Sequence, residues 1–402
     1  MDVNNGKPRV LVFEWLVGGG LLVDAQPLED CSSMFRQGAL MRRAIAEDFA
    51  AAGCEVLTTT DGRWSQIFET GESIAIGAGK ELPDRLRELA SEADFLFVIA
   101  PESEGRLVRV LDWLEPFTER LLSPERKWAE LLSDKQATCD WLRSVGVRVP
   151  TGQSWRSGRD IWPPNVALPA VCKPNDGCGG ERIRLVRDTW GAESDLGSGQ
   201  WRIEILVEGE ALSVVALLGS QERVLLQPTR QLFSSDGFGV YAGGEMIEDG
   251  QVATAVWQAV EPALRAMEGV RGVVGFDLVL GRETCGRAGR RGRETCAERM
   301  SGGETCAERM SGGETCAERL SGGETCAERL SGGESCAEQD GAAGERLVTV
   351  VEVNPRLTSS YLGLREYYGN NLAECLLRLV GGEPLGDSLS PRSREKLSWR
   401  LD

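Results

Sequence analysis

The chain has 402 residues, with 45 lysines and arginines against 62 aspartates and glutamates, a formal net charge of -17 and no histidine. Such an acidic balance argues against nucleic acid or an anionic membrane as the main partner, and the missing imidazole excludes histidine triads, histidine zinc ligands and histidine proton shuttles. No apolar run approaches the roughly 18 residues of a membrane span, and the N-terminus lacks a basic segment followed by an apolar one. A cytoplasmic protein of two or three domains is therefore expected, with its 12 cysteines read as reduced thiols.

In chain order, Arg9 to Trp15 reads as a buried strand and Gly18-Gly19-Gly20 as the turn after it. That triplet is not Gly-x-Gly-x-x-Gly, so an ordinary turn outweighs a nucleotide fingerprint. Apolar residues at helical spacing run from Ser33 to Ala52, and Gly53 ends them. Further strands follow at Glu55 to Thr60 and Asp94 to Ala100. Strand and helix alternate, which indicates an α/β layer of about 120 residues.

A helical stretch then carries Asp134-Lys135 near its middle and stops at Gly146. Strand Leu168 to Lys173 leads into Pro174-Asn-Asp-Gly-Cys-Gly-Gly180, and a second strand resumes at Arg182. Strand, glycine-rich loop, strand differs from a Walker A site. Such a hairpin can fold over phosphates and offer N–H donors, and Lys173 adds a cation. Lysines are scarce here (Lys7, Lys80, Lys127, Lys135, Lys173 and Lys396), so one beside a glycine loop is conspicuous. The competing reading is a plain turn beside a surface lysine.

Trp201 to Val207 reads as a strand, Val214 to Leu218 and Val224 to Gln227 as a hairpin, and Gln251 to Met267 as a helix kinked by Pro262. Strand Gly272 to Leu280 contains Asp277, and a buried carboxylate needs a partner. In Leu347 to Arg356, Glu352 and Asn354 are two apart and share one face of a strand. Their hard oxygens suit Mg²⁺, and Arg356 places a planar cation beside them.

Between these strands Glu-Thr-Cys-Ala-Glu-Arg-(Met/Leu)-Ser-Gly-Gly recurs with Cys296, Cys306, Cys316, Cys326 and Cys336 in one slot. Each unit has too little apolar surface for a solenoid, and single cysteines at this spacing are a poor metal pattern. The repeat reads as a disordered, low-complexity expansion of a surface loop. Excising it joins the flanking strands into a β-hairpin that sets Asp277 beside Glu352 and Asn354.

The order of these parts resembles the ATP-grasp superfamily over roughly Leu131 to Gly382: Asp-Lys-x-x-Thr, Lys-Pro-Asn-Asp-Gly-Cys-Gly-Gly, Glu-Gly-Glu-x-Leu-Ser-Val, Gly-Phe-Asp-Leu-Val and Glu-Val-Asn-Pro-Arg. Phe13-Glu14-Trp15, Ile99-Ala-Pro-Glu102, Arg230-Gln231, Tyr241-Ala-Gly-Gly244 and Asn354 to Arg365 are similar to the tyramine–glutamate ligase group. The resemblance implies an α/β protein, α+β in its ATP-grasp part. A Rossmann-like pre-ATP-grasp domain would span 1–125, a small lid subdomain 126–200 and a C-terminal subdomain 201–402, with the repeat inserted in a β-hairpin at 281–345.

It also implies ATP and Mg²⁺ (or Mn²⁺), a small-molecule carboxylate such as glutamate, and an amine. Lys135 and Lys173 match the phosphate-contacting lysines, and Asp176, Gly177, Gly179 and Gly180 the phosphate-covering loop. Glu204 to Val207 match the adenine hinge, and Asp277, Glu352 and Asn354 the metal ligands. Arg356, with Lys173, is the implied catalytic cation. Two positions depart from the pattern. The usual ribose acid falls at Ala211, leaving Glu210 or Glu208 as substitutes, and Gly275 stands where D-alanine ligase relatives carry arginine. The activity implied is amide formation through an acylphosphate, with no base for the amine identified. The alternatives are another ATP-grasp amino-acid ligase, a carboxylating enzyme, or a nucleotide-binding scaffold that uses the cysteine repeat.

Overall fold

The computed structural model describes residues 6–28, 32–64, 70–156, 160, 162, 166–180, 182–187, 196, 199–234, 241–283, 347–386, 389–392 and 397–401. The ten-residue repeat, and with it the expectation of a disordered loop, lies outside them.

The first layer is built on β1 (Arg9–Glu14), whose apolar run is buried along most of its length. After it come α1 (Gly20–Val23), α2 (Ser33–Ala51), β2 (Glu55–Asp61), β3 (Glu72–Ile76), α3 (Leu82–Glu92) and β4 (Phe95–Ile99). The Ser32 hydroxyl accepts the Phe35 N–H and caps α2, and Gly53 follows the helix at φ +90°. The strands are parallel in the order β3-β2-β1-β4. The chain therefore winds outward from β1 in one direction and then crosses to its other side to place β4. Alternation alone missed β3, which is short and half exposed.

After α4 (Arg106–Trp113) and α5 (Arg126–Ser133) comes α6 (Lys135–Ser144). Asp134 does not sit mid-helix as the sequence led us to expect. Its carboxylate accepts the Ala137 N–H at 2.8 Å and starts α6, so Lys135 is the first helical residue. A short acceptor side chain favours that position over a helix interior.

A second, antiparallel sheet contains β5 (Gly152–Arg156), β6 (Ala170–Pro174), β7 (Arg184–Val186) and β8 (Gln200–Ile205), ordered β5-β8-β6-β7. It packs on Trp155, Trp201, Ile203 and Cys172. The β6–β7 hairpin carries the Pro174–Gly180 loop, where Gly179 and Gly180 take φ +62° and +76°. A single residue, Leu206, separates β8 from the third sheet.

That sheet is antiparallel and runs β14-β13-β9-β11-β12-β15, with β10 beside β9. Its strands are β9 (Val207–Leu218), β10 (Arg223–Leu225), β11 (Thr229–Phe233), β12 (Tyr241–Met246), β13 (Gly272–Glu283), β14 (Leu347–Asn354) and β15 (Ser398–Arg400). β9 is one strand of 12 residues. Here the sequence predicts strands only at Trp201 to Val207 and Val214 to Leu218, yet the ladder to β13 runs unbroken from Val207 to Leu218. β13 and β14 pair antiparallel with Gly281 opposite Leu347, so the expected hairpin forms.

Helix α7 (Gly250–Ala266) runs through Pro262 and buries Val256, Val260 and Ala263. After β14 come α8 (Tyr361–Tyr367) and α9 (Leu372–Val380). They dock on α2: Tyr361 donates to Asp48 at 2.5 Å and Arg365 to Asp48 at 2.6 Å. The polar C-terminal residues are structural, since β15 extends the sheet and Trp399 lies where a side chain at Gly363 would strike it. Among the described residues no helix is long and apolar enough to cross a membrane.

Candidate active site

The three sheets meet around a cavity of about 730 Å³. One wall is the β13–β14 pair. Register sets Asp277 directly opposite Glu352 and Gly275 opposite Asn354, and a bulge follows Asp277. Three polar side chains are thereby brought to one spot on an otherwise apolar pair of strands. Asp277 accepts from Asn354 Nδ2 at 3.0 Å and from Gln231 Nε2 at 2.8 Å. Burial, with Glu352 adding repulsion, pushes the Asp277 carboxyl up to about 6. Burial opposes ionisation of Glu352 as well, yet Lys135 and Lys173 outweigh it and hold that group below the usual carboxylate range.

The lysines approach from the second sheet and α6. Lys135 Nζ donates to Glu352 Oε1 at 2.9 Å and also to the Gly177 carbonyl. Burial disfavours its charge, but Glu352 more than compensates and its pKa is raised. Lys173 Nζ lies 2.7 Å from Glu204 Oε1 and donates to the Val351 carbonyl at 2.9 Å. Glu204 in turn accepts from Arg202 at 2.7 Å, and Arg202 reaches Gln136 and Pro150. This network fixes Lys173 at the cavity edge.

Arg356, one residue past Pro355, is clamped by a carboxylate from the first layer. Its Nε lies 2.9 Å from Glu102 Oε1, and its Nη2 donates to Glu102 Oε2 at 3.0 Å. Burial disfavours the guanidinium charge, but Glu102 overcompensates and raises its pKa. The pairing spans 254 positions, and neither residue's neighbours in sequence announce it. The available signal was position: Pro101-Glu102 lies just past the carboxyl end of β4, where open parallel sheets bind ligands.

Most of the expected site residues converge. Lys173, Gly179, Gly180, Glu204, Val207, Glu210, Asp277, Glu352, Asn354 and Arg356 all border the cavity. Three are placed differently. Lys135 lies behind the loop, covered by the Gly177 carbonyl, so neither it nor Gly177 borders the cavity. Asp176 turns away and accepts the Glu104 N–H at 3.1 Å. Glu204 uses its carboxylate on Lys173 and Arg202, so its side chain is committed to positioning them. Glu210 pairs with Arg230 at 3.0 Å. Gln231 as a partner of Asp277 and Glu14 as a cavity residue are functional positions that emerge only from the fold.

The donor set fits a hard divalent cation. The two opposed carboxylates supply oxygen, and Asn354, whose amide nitrogen donates to Asp277, carries a further amide oxygen; burial and then repulsion from Glu352 raise Asp277, and a cation would relieve both. Among the described residues no group of three acidic or thiol side chains could hold a metal ion; the set here is two carboxylates and the Asn354 amide.

This architecture defines a class. Residues 132–285 match a family model for the ATP-grasp domain, and residues 54–127 match one for a pre-ATP-grasp domain. The chain carries an ATP-grasp fold with an N-terminal pre-ATP-grasp domain. The first match ends at 285, so β14 with Glu352, Asn354 and Arg356 lies beyond it, and their assignment rests on the β13–β14 pairing. Among solved structures the chain is similar to an ATP-grasp superfamily protein from Archaeoglobus fulgidus, 19% identical over 94% of this chain and 89% of that one, TM-score 0.60. It is similar as well to an L-amino acid ligase from Bacillus licheniformis, with 14% identity, 96% and 78% coverage and TM-score 0.60. The third is an N5-carboxyaminoimidazole synthetase from Staphylococcus aureus complexed with ADP, with 12% identity, 96% and 80% coverage and TM-score 0.61. No curated protein sequence matches the chain.

Proposed function

We propose that the protein is an ATP-dependent, ADP-forming ligase that joins a small-molecule carboxylate to an amine, glutamate and a tyramine-like amine being the pair its motifs resemble. The observation that carries this reading is the meeting of Asp277, Glu352 and Asn354 with the buried cations Lys173 and Arg356 at one cavity. The chemistry supplied by ATP is transfer of its γ-phosphoryl to the carboxylate, giving an acylphosphate that the amine attacks with release of phosphate. Mg²⁺ held by Asp277, Glu352 and Asn354 would neutralise phosphate charge.

The chain's own contribution is alignment and fixed charge, which dominate phosphoryl transfer. Lys173, immobilised by Glu204, presents a cation on one side. Arg356, immobilised by Glu102, presents another across the cavity, close to Glu352. Because both are already ion-paired and buried, little reorganisation is needed as charge develops on the transferred group. The Gly179–Gly180 turn offers N–H groups from backbone that only glycine adopts without strain.

The test is ADP release with glutamate over a panel of amines, with bicarbonate as a separate arm because the relatives include a carboxyaminoimidazole synthetase. ADP formed only when acid and amine are both present supports the ligase. ADP formed with bicarbonate alone moves the protein to the carboxylating class, and none with any acid, amine or bicarbonate removes the reading. Turnover that survives removal of 285–346 excludes the scaffold alternative.

A further inference from the structure

The cavity is bordered by first-layer residues as well as by the phosphate-side ones. In the order β3-β2-β1-β4 the winding reverses between β1 and β4, and at such a switch point a crevice opens outside the carboxyl ends of the strands. Glu14, the last residue of β1 and paired with Ile99 of β4, borders that crevice. It is 2% exposed. One oxygen accepts the Val17 N–H at 2.8 Å, and among the described residues the carboxylate has no ion pair. The α2 residue facing it is Gly38, where an added Cβ would fall 2.6 Å from Glu14 Oε1. The first-layer side chains that border the cavity with it include Leu16, Met34, Met41 and Ile99, with Gln37 an amide among them that accepts from Ser359.

We infer that the first-layer side of the cavity takes the acceptor amine, a primary ammonium with an apolar body, the ammonium on Glu14 and the body against Leu16, Met34 and Met41. The amine's fate rests on the ligase reading; the binding site does not. Arg42 and Arg356 act on this buried carboxylate without forming an ion pair with it, and an ammonium in the cavity would supply a direct one. Burial pushes the Glu14 carboxyl up to about 7 even with Arg42 and Arg356 pulling it down. Arg356 borders the same cavity, so an amine on Glu14 would share it with the cation proposed to face the acyl group. A polar amine body would be stranded against Met34 and Met41. The α-ammonium of an amino-acid substrate has the same head-group chemistry, so the test must separate the two.

The experiment is calorimetric titration of the full chain, without ATP, using 2-phenylethylamine, ethanolamine and L-glutamate as probes. Binding of 2-phenylethylamine at least about tenfold tighter than ethanolamine is expected, together with a loss of at least about tenfold in Glu14→Gln. Met34→Ala should weaken 2-phenylethylamine several-fold and leave ethanolamine unchanged. An ATP affinity equal to wild type in each variant confirms folding, and Met34→Ala keeps the test open if Glu14→Gln does not fold. Unchanged 2-phenylethylamine affinity in either folded variant overturns the inference, as does displacement of 2-phenylethylamine by L-glutamate. Failure of the ligase reading has a different signature, namely Glu14-dependent amine binding without ADP release.

Discussion

Glu102→Gln tests the clamp on Arg356. The substitution keeps the side chain's shape and one acceptor, and removes the anion that faces the guanidinium at 2.9 and 3.0 Å. Glu102 is 3% exposed and the Arg356 side chain 12%, so water screens the pair little. Removing one partner of a buried pair costs about 3–5 kcal/mol. Two features lower that figure: glutamine still accepts one N–H, and Glu352, which also acts on Arg356, recovers part of the attraction. A loss of about 2–3 kcal/mol is expected, which at roughly 2–4 °C per kcal/mol for a large domain lowers Tm by about 4–12 °C. Turnover should fall more than about tenfold as Arg356 loses its fixed position, with ATP affinity little changed. Scanning calorimetry and steady-state ADP release read the two effects. A Tm within about 1 °C of wild type together with full turnover would refute the reasoning, because the ion pair would then carry neither stability nor alignment.

Glu352→Gln should cut turnover by more than about tenfold while the protein still folds; wild-type rates would mean the metal site is misplaced. Glu14 gives a pH signature in stability. Its carboxyl titrates at 4.5 when free and at about 7 when folded, so its burial is without penalty below pH 4.5 and fully penalised above pH 7. Stability from this group falls across that window by at most about 3 kcal/mol. The Tm of Glu14→Gln relative to wild type should therefore rise between pH 4.5 and 7, and a flat difference curve would contradict the burial. Tyr361→Phe removes the donor to Asp48 and should lower stability by about 1–2 kcal/mol without altering the KM for ATP, as denaturant unfolding and kinetics would report. Deleting 285–346 and joining the strands with a short turn should leave ADP release intact, since β13 and β14 already pair up to Gly281 and Leu347.

The parts legible in the sequence were those written at short range. Alternating Glu352 and Asn354 on an apolar strand, and Asp277 inside another, carried enough pattern to pair two strands across the repeat. Glycines after Lys173 marked the loop, and apolar periodicity marked α2. What could not be read was whatever depends on distant chain segments meeting. The Glu102–Arg356 clamp, the Gln231–Asp277 bond and the docking of Arg365 on Asp48 each join residues whose local sequence is ordinary. Asp134 was misplaced because helical periodicity runs straight through it from α5 into α6, and only the capping bond reveals the break. β15 escaped notice because three residues of an edge strand carry no periodicity, although Trp399 among polar neighbours was a clue that something there is packed.

The central claim, that a carboxylate is activated by phosphoryl transfer and then captured by an amine, is tested most directly by isotope transfer. The enzyme is supplied with ATP, Mg²⁺, an accepted amine and its acid labelled with ¹⁸O in the carboxyl group, and the inorganic phosphate is analysed by mass spectrometry. One ¹⁸O atom in phosphate for each amide and each ADP formed is the predicted result. Unlabelled phosphate, or AMP and pyrophosphate in place of ADP, would contradict it.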